Sequence, residues 1–391
     1  MSARAEWTRR AALAFGAGLV AAAAAPALAQ SEEEETLDAL ARRSGRRFGS
    51  AVGSGPPDRV AGAFADPRYR DLVARECGLI VHENELKWTW IRRRGPEHFD
   101  FEPADRILAF AEEHGLGARG HTLLWHHPRW LPSWLETHDF GPSPAAAAEA
   151  MLREHVATIC RRYGDRIASY DVVNETVDNV TGAMRETPFT RAMGAAEPVV
   201  DGAFRAAREA APNAQLVYND YMTWTTASAN HRDGVLRLLE GFRQRDVPVD
   251  ALGIQAHLGA GTIEGSAGPG PLQEAEWRRF LDAVTAMEFD LLITEFDVND
   301  RDLPADAAVR DRAVADHARA YLDLMLSYDR LGDILAWGMT DRYSWLQNNT
   351  RREDGLAKRP CPYDADFRPK PLRAAIAESL RNAASHHHRR A

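Results

Sequence analysis

Residues 170–178 read YDVVNETVD. Val172 and Val173 are β-branched and suit a buried strand. Asn174 and Glu175 follow at once. A carboxylate at the end of a buried strand is costly unless something requires it there. The reason for Glu175 lies in the pattern of the rest of the chain.

The same grammar recurs eight times: a short apolar run ends in polar or aromatic residues and an amphipathic stretch follows. The runs are RRFGSAV (46–52), GLIVHE (78–83), GARGHTLLW (117–125), IASYDVVNE (167–175), AQLVYNDY (214–221), DALGIQAHL (250–258), DLLITEFDV (290–298) and GDILAWGMTD (332–341). Between them lie segments such as PADRILAFAEEHGLG, where Ile107, Leu108, Phe110 and Ala111 fall at helical spacing before Gly115 and Gly117. Strand–helix alternation predicts a parallel sheet with helices outside, and apolar strands agree with burial on both faces. Eight units predict an α/β fold, a single (β/α)8 barrel over residues 46–383. An open doubly wound sheet would want a glycine-rich nucleotide turn, and AVGSGPP after the first run lacks that fingerprint.

In such a barrel the chemistry sits at the C-terminal ends of the strands. Glu175 is then surrounded by Glu83, Asn84, His121, Trp125, Asn219, Asp220, Gln255, His257, Glu295, Asp297, Trp337 and Asp341. Glu175 ends the fourth run and Glu295 the seventh, across the barrel mouth. Two carboxylates flanking a scissile bond are the machinery of glycoside hydrolysis: one protonated donor, one ionised nucleophile. Asn174 can orient a sugar 2-hydroxyl. His257, if it ends the sixth strand, lies beside the seventh and can hydrogen-bond Glu295, with Asp297 holding the imidazole from its far side. Such bonds favour an ionised carboxylate. The residues therefore read as Glu295 nucleophile and Glu175 acid/base, with Asp297 in support.

Composition bounds the partners. The chain has 391 residues and a formal net charge of −9, with no basic cluster to suggest nucleic acid. Ten Trp is a high count, and indole faces stack on pyranose rings. Thr8-Arg9-Arg10, an apolar stretch and ALAQ form a twin-arginine-type secretory signal over 1–29, cut after Ala29. The expectation is an exported protein, periplasmic or extracellular, with no membrane contact after signal removal. SEEEE opens an acidic leader over 30–45, expected to be flexible, and residues 384–391 are expected to form a disordered tail. Cys77, Cys160 and Cys361 permit at most one internal pair and match no zinc spacing. No cofactor and no metal are expected, and the chain is expected to act as a monomer.

The chain resembles glycoside hydrolase family 10, the retaining endo-β-1,4-xylanases. Its acid/base motif is similar to YDVVNE and its nucleophile motif to ITEFD. Further similarity lies in HENELKW (82–88), GHTLLWH (120–126), YNDY (218–221), GIQAHL (253–258), WGMTDRYSWL (337–346) and DADFRPKP (364–371). The motifs occur in family order. The resemblance implies a xylan or xylo-oligosaccharide substrate, Glu175 as acid/base and Glu295 as nucleophile. It also implies sugar sites lined by Glu83, Asn84, Lys87, His121, Trp125, Asn174, Gln255, His257, Trp337 and Trp345.

Several segments depart from the family pattern. Tyr170 stands where the family often has Trp. HHPRWLPSW (126–134) is longer than the usual segment and adds Trp130. YMTWTT (221–226) lacks a polar, Asn-rich continuation, and GAGTIEGSAGPGP (259–271) is a long Gly/Pro loop. Two other readings compete. A metal-dependent barrel hydrolase could use His121, His126, His127 and His257, but no His-x-His closes the first strand and adjacent histidines do not easily share one ion. A non-catalytic carbohydrate-binding protein is opposed by the presence of both carboxylates.

Overall fold

A computed structural model describes residues 35–55, 62–260, 272–349 and 351–390. The expected signal peptide, and the Gly/Pro loop from 261 to 271, lie outside the described residues. Eight strands form a closed parallel barrel: β1 (Phe48–Val52), β2 (Leu79–His82), β3 (Gly117–Trp125), β4 (Ser169–Asn174), β5 (Gln215–Asp220), β6 (Ala251–Ile254), β7 (Asp290–Asn299) and β8 (Leu331–Ala336). Each pairs with its neighbours in chain order. β6 meets β7 from Ala251↔Asp290 to Ile254↔Ile293, and β8 meets β1 at Phe48↔Ile334, which closes the ring.

A helix follows every strand, as the sequence pattern predicts. Glu102–Glu113 buries Ile107, Leu108, Phe110 and Ala111 and gives way to Gly115 at φ +66°. Ala307–Met325 starts at Asp306, whose carboxylate accepts from Val309 N at 2.9 Å. The strands bury both faces. On β5, Leu216 and Tyr218 join the main apolar core toward the helices, while Val217 faces the other way and packs with Ala251 of β6 and Leu292 of β7. Below the catalytic end, Arg119 of β3 donates to Asp171 of β4 at 2.6 Å, both fully buried.

Four expectations need correction. The sixth run is not one strand: β6 stops at Ile254, Ala256 takes φ +60°, and a separate strand His257–Gly259 pairs with Asp297–Asn299 of β7. Gln255 and His257, on either side of Ala256, both line the cleft. The leader is not flexible from Leu37 on. Leu37–Arg42 is a helix with Leu37, Leu40 and Ala41 buried at i, i+3, i+4 spacing, and Glu76 accepts from Leu37 N at 3.0 Å. The final helix runs from Pro371 to Arg390, because nothing in SHHHRR breaks it, so the tail is helical as far as it is described. Asp341 is not at the barrel mouth. The eighth strand ends at Ala336, and Asp341 forms a buried ion pair with Lys370 at 3.0 Å. Cys77, Cys160 and Cys361 are buried and free.

Candidate active site

A cleft of about 870 Å³ opens at the C-terminal end of the strands. Glu175 and Glu295 line it, together with Glu83, Asn84, Lys87, His121, Trp125, Asn174, Gln255, His257, Trp337 and Trp345. The two candidate catalytic carboxylates and the ten candidate sugar-binding residues are therefore brought to one place. Asp297 stands behind that wall.

Glu175 leaves the end of β4 with φ +55°, a region that costs any non-glycine residue. Its backbone N–H donates to Asn219 O at 2.9 Å, which holds the chain in this conformation. The side chain is half-buried, and its Oε1 accepts from Gln255 Nε2 at 2.9 Å. Burial pushes this carboxyl up; the Gln255 hydrogen bond opposes that, and the charges of Asp220 and Glu295 reinforce it. The net direction is up, as a proton donor requires.

Glu295 sits inside β7 and is buried. Oε1 accepts from Asn219 Nδ2 at 2.7 Å. Oε2 faces His257 Nε2 at 3.2 Å, and His257 Nδ1 faces Asp297 Oδ1 at 3.0 Å. Asp297 Oδ2 also accepts from Trp345 Nε1 at 2.7 Å. Burial alone would raise Glu295, but His121, the His257 hydrogen bond and charge, and Lys87 outweigh it and hold the carboxyl below its usual range. Burial pulls His257 down, yet its two carboxylate neighbours, Asp297 foremost, lift it to about 10, so it is an imidazolium at neutral pH. Asp297→Asn is expected to lower the His257 pKa and so raise that of Glu295. Glu295 then protonates at a higher pH, and the acid limb of the kcat/KM profile moves upward; an unmoved limb would show that the imidazolium does not tune Glu295.

The two carboxylates share a scaffold. Asn219 donates to Glu295 and lies 2.9 Å from Asn174 Oδ1, Gln255 bridges Asn174 and Glu175, and Trp125 Nε1 lies 3.2 Å from the Asn174 amide. Gly253 makes room for this: a Cβ there would lie 2.4 Å from Asn219 Oδ1. On the opposite wall, Lys87 Nζ donates to Asn84 Oδ1 at 3.0 Å and stands 4.7 Å from the Trp125 ring centroid. His121 Nδ1 faces Asp171 Oδ2 at 2.9 Å, so the Arg119–Asp171 pair below fixes its ring.

Sequence reasoning left out some residues that matter. Asn219 appeared only as a strand end, although it touches a catalytic candidate directly. Glu85 is buried between two loops, accepting from Ser54 N at 2.7 Å and Asn84 N at 2.9 Å, and burial pushes it up to about 7. Its place inside HENELKW was the only signal. Arg129, Trp130 and Tyr221 also line the cleft, from connections whose paths no local pattern dictates, and Trp90 does so from the short helix Trp88–Ile91. Asp220, by contrast, turns away, with Oδ1 3.0 Å from buried His231. Among the described residues no three His, Cys, Asp or Glu side chains converge as a metal site. His126 is buried against Thr187, and His127 accepts from Arg129 N.

Known proteins share both the sequence and this architecture. The family model described as "Glycosyl hydrolase family 10" matches residues 36–379. The chain is 32% identical to Endo-1,4-beta-xylanase 5 of Pyricularia oryzae, over 82% of this chain and 74% of that relative. It is 29% identical to Endo-1,4-beta-xylanase 3 of Hypocrea jecorina, over 89% of this chain and 87% of the relative. Native xylanase 10B of Thermotoga maritima superposes with a TM-score of 0.77 at 26% identity, over 90% of this chain and 99% of that one. Xylanase 10B of Thermotoga petrophila RKU-1, solved with xylobiose, superposes with a TM-score of 0.76 at 26% identity, over 89% of this chain and 98% of that one.

Proposed function

The chain belongs to glycosyl hydrolase family 10, and from that premise we propose how its cleft works. The protein is an endo-1,4-β-xylanase that hydrolyses xylan with retention of anomeric configuration. In our reading Glu175 protonates the leaving oxygen while Glu295 attacks the anomeric carbon and forms a glycosyl-enzyme. Glu175, now ionised, takes a proton from water, and the water releases the sugar. The observation that carries this assignment is the opposed state of two carboxylates in one cleft: Glu175 is pushed up and Glu295 held down.

In the same reading Asn174 meets the 2-hydroxyl of the sugar under attack. Glu83, Asn84, Lys87, His121 and Gln255 supply polar partners for the ring hydroxyls on the non-reducing side, and Trp125, Trp337 and Trp345 supply apolar faces. Oligosaccharide binding is supported by the xylobiose complex of the Thermotoga petrophila enzyme. Retention needs the two carboxyl groups about 5–5.5 Å apart, too close for a water to fit between the nucleophile and the anomeric carbon. The catalytic domain is taken as residues 46–383, extended at its start by the helix Leu37–Arg42. No helix among the described residues is long and apolar enough to cross a membrane. Export through the twin-arginine-type leader, action as a monomer, and independence of metal, cofactor and nucleic acid belong to the same proposal.

Product analysis tests it. The purified mature chain on beechwood-type xylan is expected to release short xylo-oligosaccharides, equally with and without EDTA. Loss of product on chelation would restore the metal-dependent reading. Binding to insoluble xylan with no product would restore the non-catalytic one.

A further inference from the structure

The loop after β3 builds a feature that the catalytic cycle does not use. From Lys87 outward, four side chains stand in a row. Lys87 Nζ is 4.7 Å from the Trp125 centroid, the Trp125 and Trp130 rings are stacked with centroids 5.0 Å apart and planes 21° from parallel, and Arg129 Cζ is 4.9 Å from the Trp130 centroid. The inner end of this row belongs to the site already described. The outer end is exposed: Trp130 is 38% accessible, and Arg129 is exposed beside it. Both still line the cleft.

Arg129 differs from the other arginine near this rim. Arg185 is committed, donating to Asp178 at 3.0 Å and to the Tyr221 hydroxyl at 2.8 Å. Among the described residues no carboxylate lies within ion-pair distance of Arg129, and it is the one guanidinium lining the cleft. The neighbouring His127 is pushed down to about 4, first by burial and then by Arg185 and Arg129, so it brings no competing charge. The chain as a whole is acidic, at −9. An unpaired cation kept on the substrate face of an acidic protein, and braced on an indole, is set to meet an anion. A guanidinium is the side chain best matched to a planar carboxylate, which it binds through two parallel N–H donors.

We propose that Arg129, braced by Trp130, forms a decoration subsite for the carboxylate of a uronic acid branch on xylan, so that the enzyme favours acidic over neutral xylan. This inference rests on the xylanase reading and narrows it to a substrate class. Trp130 contributes by fixing the guanidinium through the indole stack. Trp125 carries that stack into the cleft that Asn174 and Glu175 line.

A matched pair of polymers gives the test: glucuronoxylan, and the same polymer after its uronic carboxyls are reduced to primary alcohols. The wild type is expected to show a kcat/KM about fivefold to tenfold higher on the acidic form, the size of one charge-assisted contact at a solvent-exposed site. That preference is expected to shrink as salt is raised. Arg129→Gln is expected to bring the ratio close to one, and Arg129→Lys, which keeps the charge without the fork, to leave part of it. Equal kcat/KM on the two polymers by the wild type, or a preference that survives Arg129→Gln, would overturn the subsite while leaving the xylanase reading in place. Cleavage of neither polymer would overturn both.

Discussion

Glu295→Ala is expected to lower turnover of xylan by about 10⁴-fold or more, the scale seen when a covalent nucleophile is removed. The loss should come without loss of the fold. Glu295 points into the cleft, and its partners keep other bonds: His257 retains Asp297, and Asn219 retains Asn174. Stereochemistry makes the test sharper than a rate. With an activated aryl xyloside and added azide, the anion can occupy the space left by the carboxylate and attack from the nucleophile's face. The product would be the α-xylosyl azide. A β-azide from this variant would mean that the roles of Glu295 and Glu175 are reversed.

Glu175→Ala is the second large effect, and it depends on the substrate. On xylan, where the leaving oxygen needs a proton, the loss is expected to be about 10²- to 10⁴-fold, the usual worth of a general acid. On an aryl xyloside with an acidic phenol, bond cleavage needs no donor and is spared, so a glycosyl-enzyme accumulates. Azide then intercepts that intermediate from the opposite face and gives the β-xylosyl azide. The pH profile follows the same logic. In the wild type, activity falls as pH rises through the elevated Glu175 pKa, because the ionised acid cannot donate. That basic limb should disappear from the cleavage step of the variant on the activated substrate. Equal losses on both substrates would indicate that Glu175 positions substrate and does not transfer a proton.

The parts legible in sequence were those fixed by strand periodicity. A parallel barrel sends residues just past each strand to one mouth, so locating the eight runs also located Glu83, Glu175 and Trp337. The His257–Glu295–Asp297 relay could be reasoned out because neighbouring strands bring consecutive motif ends together. The misses have physical causes. DALGIQAHL carries no proline or turn cluster near its break, and the left-handed turn at Ala256 has no glycine to announce it. The segment after SEEEE was judged by its charge, although Leu37, Leu40 and Ala41 have the spacing of a packed helix. Asp341 follows a strand that ends five residues earlier than its run suggested, and it neutralises a buried lysine there. Arg129 and Trp130 lie in a lengthened loop. Their departure from the family pattern was visible, but the stacked geometry that gives it meaning was not.

The interruption at Gln255–Ala256 has a consequence for the outcome of the reaction. Gln255, on one side of it, holds Glu175; His257, two residues on, holds Glu295. A single kinked backbone segment therefore grips both carboxylates and works as a spacer gauge between them. The anomeric form of the product depends on that gap, since a wider one would admit a water and turn double displacement into single displacement. One residue added or removed at the kink would reset both grips at once, and the product's handedness at the anomeric carbon would report the change.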